Sequence, residues 1–132
     1  MALRLLVNIL LANGDAHLKN WSVIYPDGHN ARLSPAYDIV MTKAYIADEA
    51  QYALNLNKGK NWYAASCEDF EKWAHYGDIP WRPVLYNLRA AMEKVRALWP
   101  SALDASEMAQ DQKTLLRAHW QRLSPDFRIG AQ

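Results

Sequence analysis

The residues with the most capacity for chemistry lie in one stretch, Asn13-Gly14-Asp15-Ala16-His17-Leu18-Lys19-Asn20, and at Asp38, eighteen positions after Asn20. Asp15, Asn20 and Asp38 offer oxygen atoms, and Lys19 offers a cation beside them. Oxygen donors on a turn suit a hard ion such as magnesium, which favours carboxylates, water and phosphate oxygens. A lysine in the same place acts as a point charge for phosphate. Each residue also has a plainer reading: Asp15 as a turn residue, Asn20 as the cap of a strand, Asp38 as a helix N-cap, Tyr37 as core and His17 as a hydrogen-bonded structural histidine.

The elements around this stretch decide whether its parts can meet. Residues 2–12 read as a helix that is apolar almost all round, with Leu3, Leu6, Val7, Leu10 and Leu11 as its strongest stripe, the pattern of a helix in mid-core. Asn13 and Gly14 tolerate a left-handed backbone and make a natural stop. Residues 21–25 are rich in strand formers, Pro26-Asp27-Gly28 is turn chemistry, and residues 31–33 form a short return strand that Pro35 ends. An antiparallel hairpin brings its outer ends together. Asn20 and Asp38 therefore face one small volume, with Asp15 on the loop that feeds it.

The rest of the chain is mostly helical. Residues 37–48 start irregular and turn helical near Lys43. Residues 52–56 alternate like a short strand, followed by a turn at Asn57-Lys58-Gly59-Lys60. Ser66 N-caps a helix that runs to about Tyr76, with Glu68 and Asp69 in its positive first turn and Gly77 closing it. The next helix starts at Pro80 and stops at Pro100, with Trp81, Val84, Leu85, Leu88, Met92, Val95 and Trp99 at helical spacing. A last helix over residues 106–123, capped by Ser106, turns Leu115, Leu116, Trp120 and Leu123 inward. The tail after Pro125 is expected to fray. The spaced Trp and Met residues are core, not a cofactor box.

The 132 residues suffice for one domain with a real core, 1–132, and 51% hydrophobic residues with six tryptophans mark it as globular. A formal net charge of +1 gives no footprint for direct nucleic-acid or anionic-membrane binding. Lys58, Lys60, Arg89, Lys94 and Arg96 read as solvated faces. The single Cys67 cannot form an internal disulfide and fits a reducing, cytoplasmic setting. Residues 1–12 only loosely imitate a signal peptide, because Asn8 interrupts the apolar run. No run approaches the ~20 apolar residues of a membrane span.

The spacing of Asp15 and Asn20 matches the interval between the proton-accepting Asp and a magnesium-binding Asn in protein kinases, where a later Asp also holds metal. The stretch Asn13 to Asn20, followed by a hairpin and then Leu33-Ser34-Pro35-Ala36-Tyr37-Asp38-Ile39, resembles the C-terminal region of HipA-like serine/threonine kinases, toxins of bacterial toxin–antitoxin pairs. Residues 52–60 and the helical tail resemble that family too. The resemblance implies a mainly α fold with a small β-hairpin, the helical C-lobe of a kinase-like fold. It implies that Asp15 is the catalytic base and that Asn20 and Asp38 ligate magnesium. His17, Leu18, Lys19 and Asn20 would run beside the phosphates of ATP, with Tyr37 and Asp38 bordering the nucleotide. A protein hydroxyl would be the acceptor, and a HipB-like antitoxin a partner.

The sequence also departs from that family. It holds five glycines and no phosphate-cradling cluster, and it starts at the helix before the loop. The expectation is that this is a fragment of a longer polypeptide, the product of a truncated gene, or one part of a kinase whose nucleotide-clamping N-terminal lobe another chain supplies, and that the isolated chain is inactive because cleft closure supplies much of the positioning. A metallophosphoesterase reading of Gly14-Asp15-Ala16-His17 needs further ligands for two metals, and His29, His75 and His119 sit in no suitable setting. A non-catalytic module that binds an antitoxin or a partner toxin chain is the other alternative.

Overall fold

The computed structural model describes residues 1–46, 48–56 and 59–130. It contains four helices, α1 (Ala2–Leu10), α2 (Cys67–Tyr76), α3 (Trp81–Ala105) and α4 (Gln110–Arg122), and a hairpin of β1 (Val23–Ile24) and β2 (Arg32–Leu33). Short 3₁₀ turns lie at Leu18–Asn20, Thr42–Ala44 and Trp62–Ala64. The mainly α architecture with one small hairpin is as the sequence implies. Asn57 and Lys58 of the expected turn lie outside the described residues.

Helix α1 sits against α3, as does α2. Leu6, Ile9 and Leu10 of α1 are fully buried, whereas Leu3 is exposed and Val7 and Leu11 are half-buried. The buried face is thus narrower than the all-round apolar helix expected. It includes Asn8, whose Nδ2 donates to the Arg4 carbonyl at 2.8 Å. The left-handed residue after α1 is Ala12, at φ 53°, instead of Asn13 or Gly14. Burial explains the choice: Ala12 is wholly enclosed, and its small side chain fills the position.

Helix α2 matches its local signals. Ser66 and Asp69 form a reciprocal capping box, with Ser66 Oγ accepting from Asp69 N and Asp69 returning to Ser66 N. Helix α3 does not stop at Pro100 but continues to Ala105. A proline inside a helix typically costs about 3 kcal/mol, because a donor is lost and the ring crowds the turn before it. Continuation buries Leu103, which is 7% exposed, and the helix end is gripped from α4: Lys113 Nζ donates to the Asp104 and Ser106 carbonyls at 2.9 and 2.7 Å. Arg117 pairs with Asp104. Ser106 consequently caps the end of α3, and α4 begins only at Gln110 without a side-chain cap.

Two further expectations are corrected. Residues 52–56 form no strand; a single antiparallel bridge joins Gln51 to Asn61. The tail does not fray through residue 130. Phe127 and Ile129 are buried, and Phe127 meets Phe70 edge-on at 5.6 Å. Arg96 donates to the carbonyls of Arg128 and Asp126 at 3.0 and 2.8 Å. The core is completed by Trp62, Leu88, Met92, Val95, Leu116, Trp120 and Leu123.

The hairpin is small and solvent-facing. Val23 pairs with Leu33 and Ile24 with Arg32. Gly28 takes φ 77° at its tip, a conformation that glycine adopts freely. Asp27 accepts from Asn30 Nδ2 and from the backbone N–H groups of Asn30 and His29, which lowers its carboxyl to about 2.

Candidate functional site

The loop after α1 is built on α1's last carbonyls. These groups have no partner within the helix. His119 Nε2 donates to the Ile9 carbonyl at 2.7 Å, and Trp120 Nε1 donates to the Leu10 carbonyl at 2.8 Å. His119 Nδ1 is then the acceptor for the Tyr63 hydroxyl at 3.3 Å. Burial holds the imidazole neutral, with its pKa lowered to about 4.

Asn13, fully buried, is the hub of the loop. Its Nδ2 donates to Asn8 Oδ1 at 2.7 Å and reaches the Asp38 carbonyl at 3.4 Å; its Oδ1 accepts from Asp15 N at 3.0 Å. One side chain therefore touches α1, the peptide of Asp15 and the backbone of Asp38. Asn20 closes the loop by donating Nδ2 to the Asp15 carbonyl at 2.9 Å. With its nitrogen so engaged, its oxygen is the atom left to ligate a cation.

The hairpin's two feet are joined at Tyr37. Its hydroxyl donates to the Lys19 carbonyl at 3.0 Å and shares a hydrogen bond with Ser22 Oγ at 2.5 Å. Arg4 anchors the same feet to α1, stacking on Trp21 at 5.4 Å and donating to the Ser34 carbonyl. Asp38, adjacent to Tyr37, has φ 54°. A non-glycine residue there carries strain that surrounding contacts must hold, a condition that clusters at functional positions.

The structure thus links the loop of Asp15 to the segment of Tyr37 and Asp38 by two hydrogen bonds. His17 Nε2 lies 3.7 Å from Asp15 Oδ1, and His17 Nδ1 is buried with no hydrogen-bond partner among the described residues. Leu18 and Lys19 are exposed on the 3₁₀ turn, and Asp15 and Asp38 are exposed as well. No group of three His, Cys, Asp or Glu residues able to hold a metal exists among the described residues. The donor set expected from the sequence is one carboxylate, Asp38, and one amide oxygen, Asn20. It suits a hard ion whose other ligands come from water and phosphate, the usual situation for magnesium with a nucleotide.

Sequence reasoning missed the residues that build the site from behind: Asn8, Asn13, Thr42, Glu49, His119 and Trp120. Asn8 carried a readable signal, since an amide inside an apolar helix needs a partner. The others depend on contacts across the chain.

The chain matches the family model described as HipA-like C-terminal domain over residues 1–118. It is 41% identical over 96 residues to a Sinorhizobium fredii protein named "Putative kinase Y4dM", covering 73% of this chain and 24% of that protein. It is 43% identical over 42 residues to a Haemophilus influenzae protein named "Putative kinase", covering 32% of this chain and 12% of that one. Its backbone superposes on HipA of Shewanella oneidensis MR-1, solved with HipB and operator DNA, with a TM-score of 0.68 at 22% identity, over 92% of this chain and 30% of that one. The chain spans about a quarter of the length of the first of these relatives. The chain belongs to the family of HipA-like C-terminal domains.

Proposed function

We propose that this chain is the catalytic half of a HipA-like serine/threonine protein kinase. Asp15 accepts the proton of the acceptor hydroxyl, and Asn20 and Asp38 hold magnesium. His17, Leu18 and Lys19 run beside the phosphates of ATP, and Tyr37 borders the nucleotide. When bound, the ion neutralises charge on the transferring phosphoryl group. Asp15 contributes proton acceptance and orientation of the hydroxyl, Lys19 a positive charge, and Tyr37 a tether between the hairpin and the loop. The observation that carries the reading is the pair of bonds from Asn13 to the Asp38 carbonyl and from Tyr37 to the Lys19 carbonyl. Together they tie the Tyr37–Asp38 segment to the loop that carries Asp15 and Asn20, which supports the reading. A HipB-like antitoxin as partner, a protein hydroxyl as acceptor and a cytoplasmic setting belong to the same proposal. No described helix is long and apolar enough to cross a membrane.

Manganese, a paramagnetic stand-in for magnesium, tests the ion site in the chain as it stands. Added to the isotope-labelled protein, it is expected to broaden the amide signals of Asn20 and Asp38 first, and Asp38→Asn is expected to abolish that selectivity. Broadening spread over surface carboxylates such as Glu68 and Glu71, unchanged by Asp38→Asn, would refute the assignment.

A second reading rests on exposed apolar residues along the hairpin and the segment after it: Leu18, Val23, Tyr25, Val40, Tyr45 and Ile46. Such a surface favours association, and the chain would then serve as a binding module. Sedimentation as a strict monomer at high concentration counts against it.

A further inference from the structure

Thr42 and Glu49 lie outside the motif, yet they grip the peptide that enters Asp15. Thr42 Oγ1 accepts from Gly14 N at 2.7 Å and hydrogen-bonds a carboxylate oxygen of Glu49. It also lies 3.3 Å from the Ala12 carbonyl. A Cβ added to Gly14 would lie 2.1 Å from the other Glu49 oxygen and 2.9 Å from the Gln51 carbonyl, so the Glu49 carboxylate rests directly on the Gly14 backbone. The segment holding these side chains is itself fastened. Lys43 N donates to the Ala12 carbonyl at 3.3 Å, and Lys43 Nζ donates to the Glu49 carbonyl at 2.7 Å.

A hydroxyl can accept and donate at once. Here it takes a hydrogen from Gly14 and gives its own to Glu49, so the carboxylate orients the hydroxyl and the hydroxyl orients the loop. Asn13 fixes the Asp15 peptide from one side through its Oδ1. Thr42 fixes the preceding peptide from the other. With both peptides held, the side chain of Asp15 leaves the backbone in a set direction.

We infer that Thr42 and Glu49 form a positioning clamp that sets the orientation of Asp15 through Gly14, making them positioning residues of the site without contact to substrate. The inference rests on Asp15 being the catalytic base, and its test separates the two ideas. Positioning errors of about 1 Å at a reacting group are enough to lower rates by about a hundredfold, so a clamp of this kind is worth measuring directly.

The test uses the labelled chain itself, with Thr42→Val, Thr42→Ser and Glu49→Gln variants. Thr42→Val is expected to raise the hydrogen-exchange rate of Gly14 N–H by about tenfold or more, since local opening no longer breaks a bond. Thr42→Ser, which keeps the hydroxyl, is expected to restore the wild-type rate. Glu49→Gln keeps an acceptor oxygen and is expected to fall between. The side-chain carboxyl carbon signal of Asp15 is expected to shift in Thr42→Val and to return to its wild-type position in Thr42→Ser. Unchanged Gly14 exchange in Thr42→Val, or an Asp15 signal unaffected by that substitution, overturns the clamp. If manganese fails to bind in the wild type, the ion-site reading fails, and the exchange comparison of Val with Ser still decides whether Thr42 sets the loop.

Discussion

His119 makes the base of the loop sensitive to acid, and the size of the effect can be worked out. Its imidazole sits between the Ile9 carbonyl and the Tyr63 hydroxyl, and burial lowers its pKa from 6.5 to about 4. The unfolded chain therefore binds this proton at higher pH than the folded chain does. Between 6.5 and 4 the unfolded state carries more protons, so stability falls as pH falls through that window and is fully present above it. At ~1.36 kcal/mol per pH unit, lowering the pH from 7.5 to 5 removes about 2 kcal/mol through this one residue. For a domain of this size that is a fall in Tm of roughly 6–8 °C. Other carboxylates also titrate on acidification, so the informative quantity is the difference between wild type and His119→Gln. The glutamine keeps a donor for the Ile9 carbonyl but cannot protonate. Thermal melts at pH 7.5 and 5 are expected to show a smaller acid-induced drop in Tm for His119→Gln than for wild type, by that same margin. Equal drops in the two proteins would refute the claim that this histidine is held neutral in the fold.

Two further outcomes follow from the packing. Phe127→Ala empties a wholly buried site against Phe70 and is expected to cost about 3–5 kcal/mol in chemical denaturation, the usual range for a buried aromatic; a loss below 1 kcal/mol would mean the tail is not docked. Cys67 has its thiol pushed up to about 11, by burial first and then by Asp126, so its labelling by a disulfide reagent at pH 8 is expected to be far slower than that of an unfolded control.

What could be read from the sequence was what local chemistry decides. Helix α2 was legible at both ends because Ser66, Asp69 and Gly77 act within a few residues of where they stand. The loop and hairpin were legible for the same reason, and the joining of their feet follows from antiparallel geometry. The misreadings share one cause. Pro100 signals a stop only if nothing rewards continuation, and here the burial of Leu103 and the grip of Lys113 from α4 do so. Ser106 looked like an N-cap, yet the carbonyls that needed satisfying belonged to the helix before it. Phe127 and Ile129 looked like a loose end because their partners, Phe70 and α3, are distant in sequence. At the site, the motif residues announced themselves, whereas Thr42 and Glu49 gave no signal, being ordinary residues made significant by where the backbone of Gly14 runs.

The bonds from His119 and Trp120 to Ile9 and Leu10 span 110 positions. During translation the segment bearing Asp15 leaves the ribosome before the two side chains that brace it are made. Elongation at about 5–20 residues per second separates the two events by several seconds. Over that interval the emerging polypeptide has the motif but not its support. A nascent copy therefore carries an unbraced loop until α4 has been synthesised.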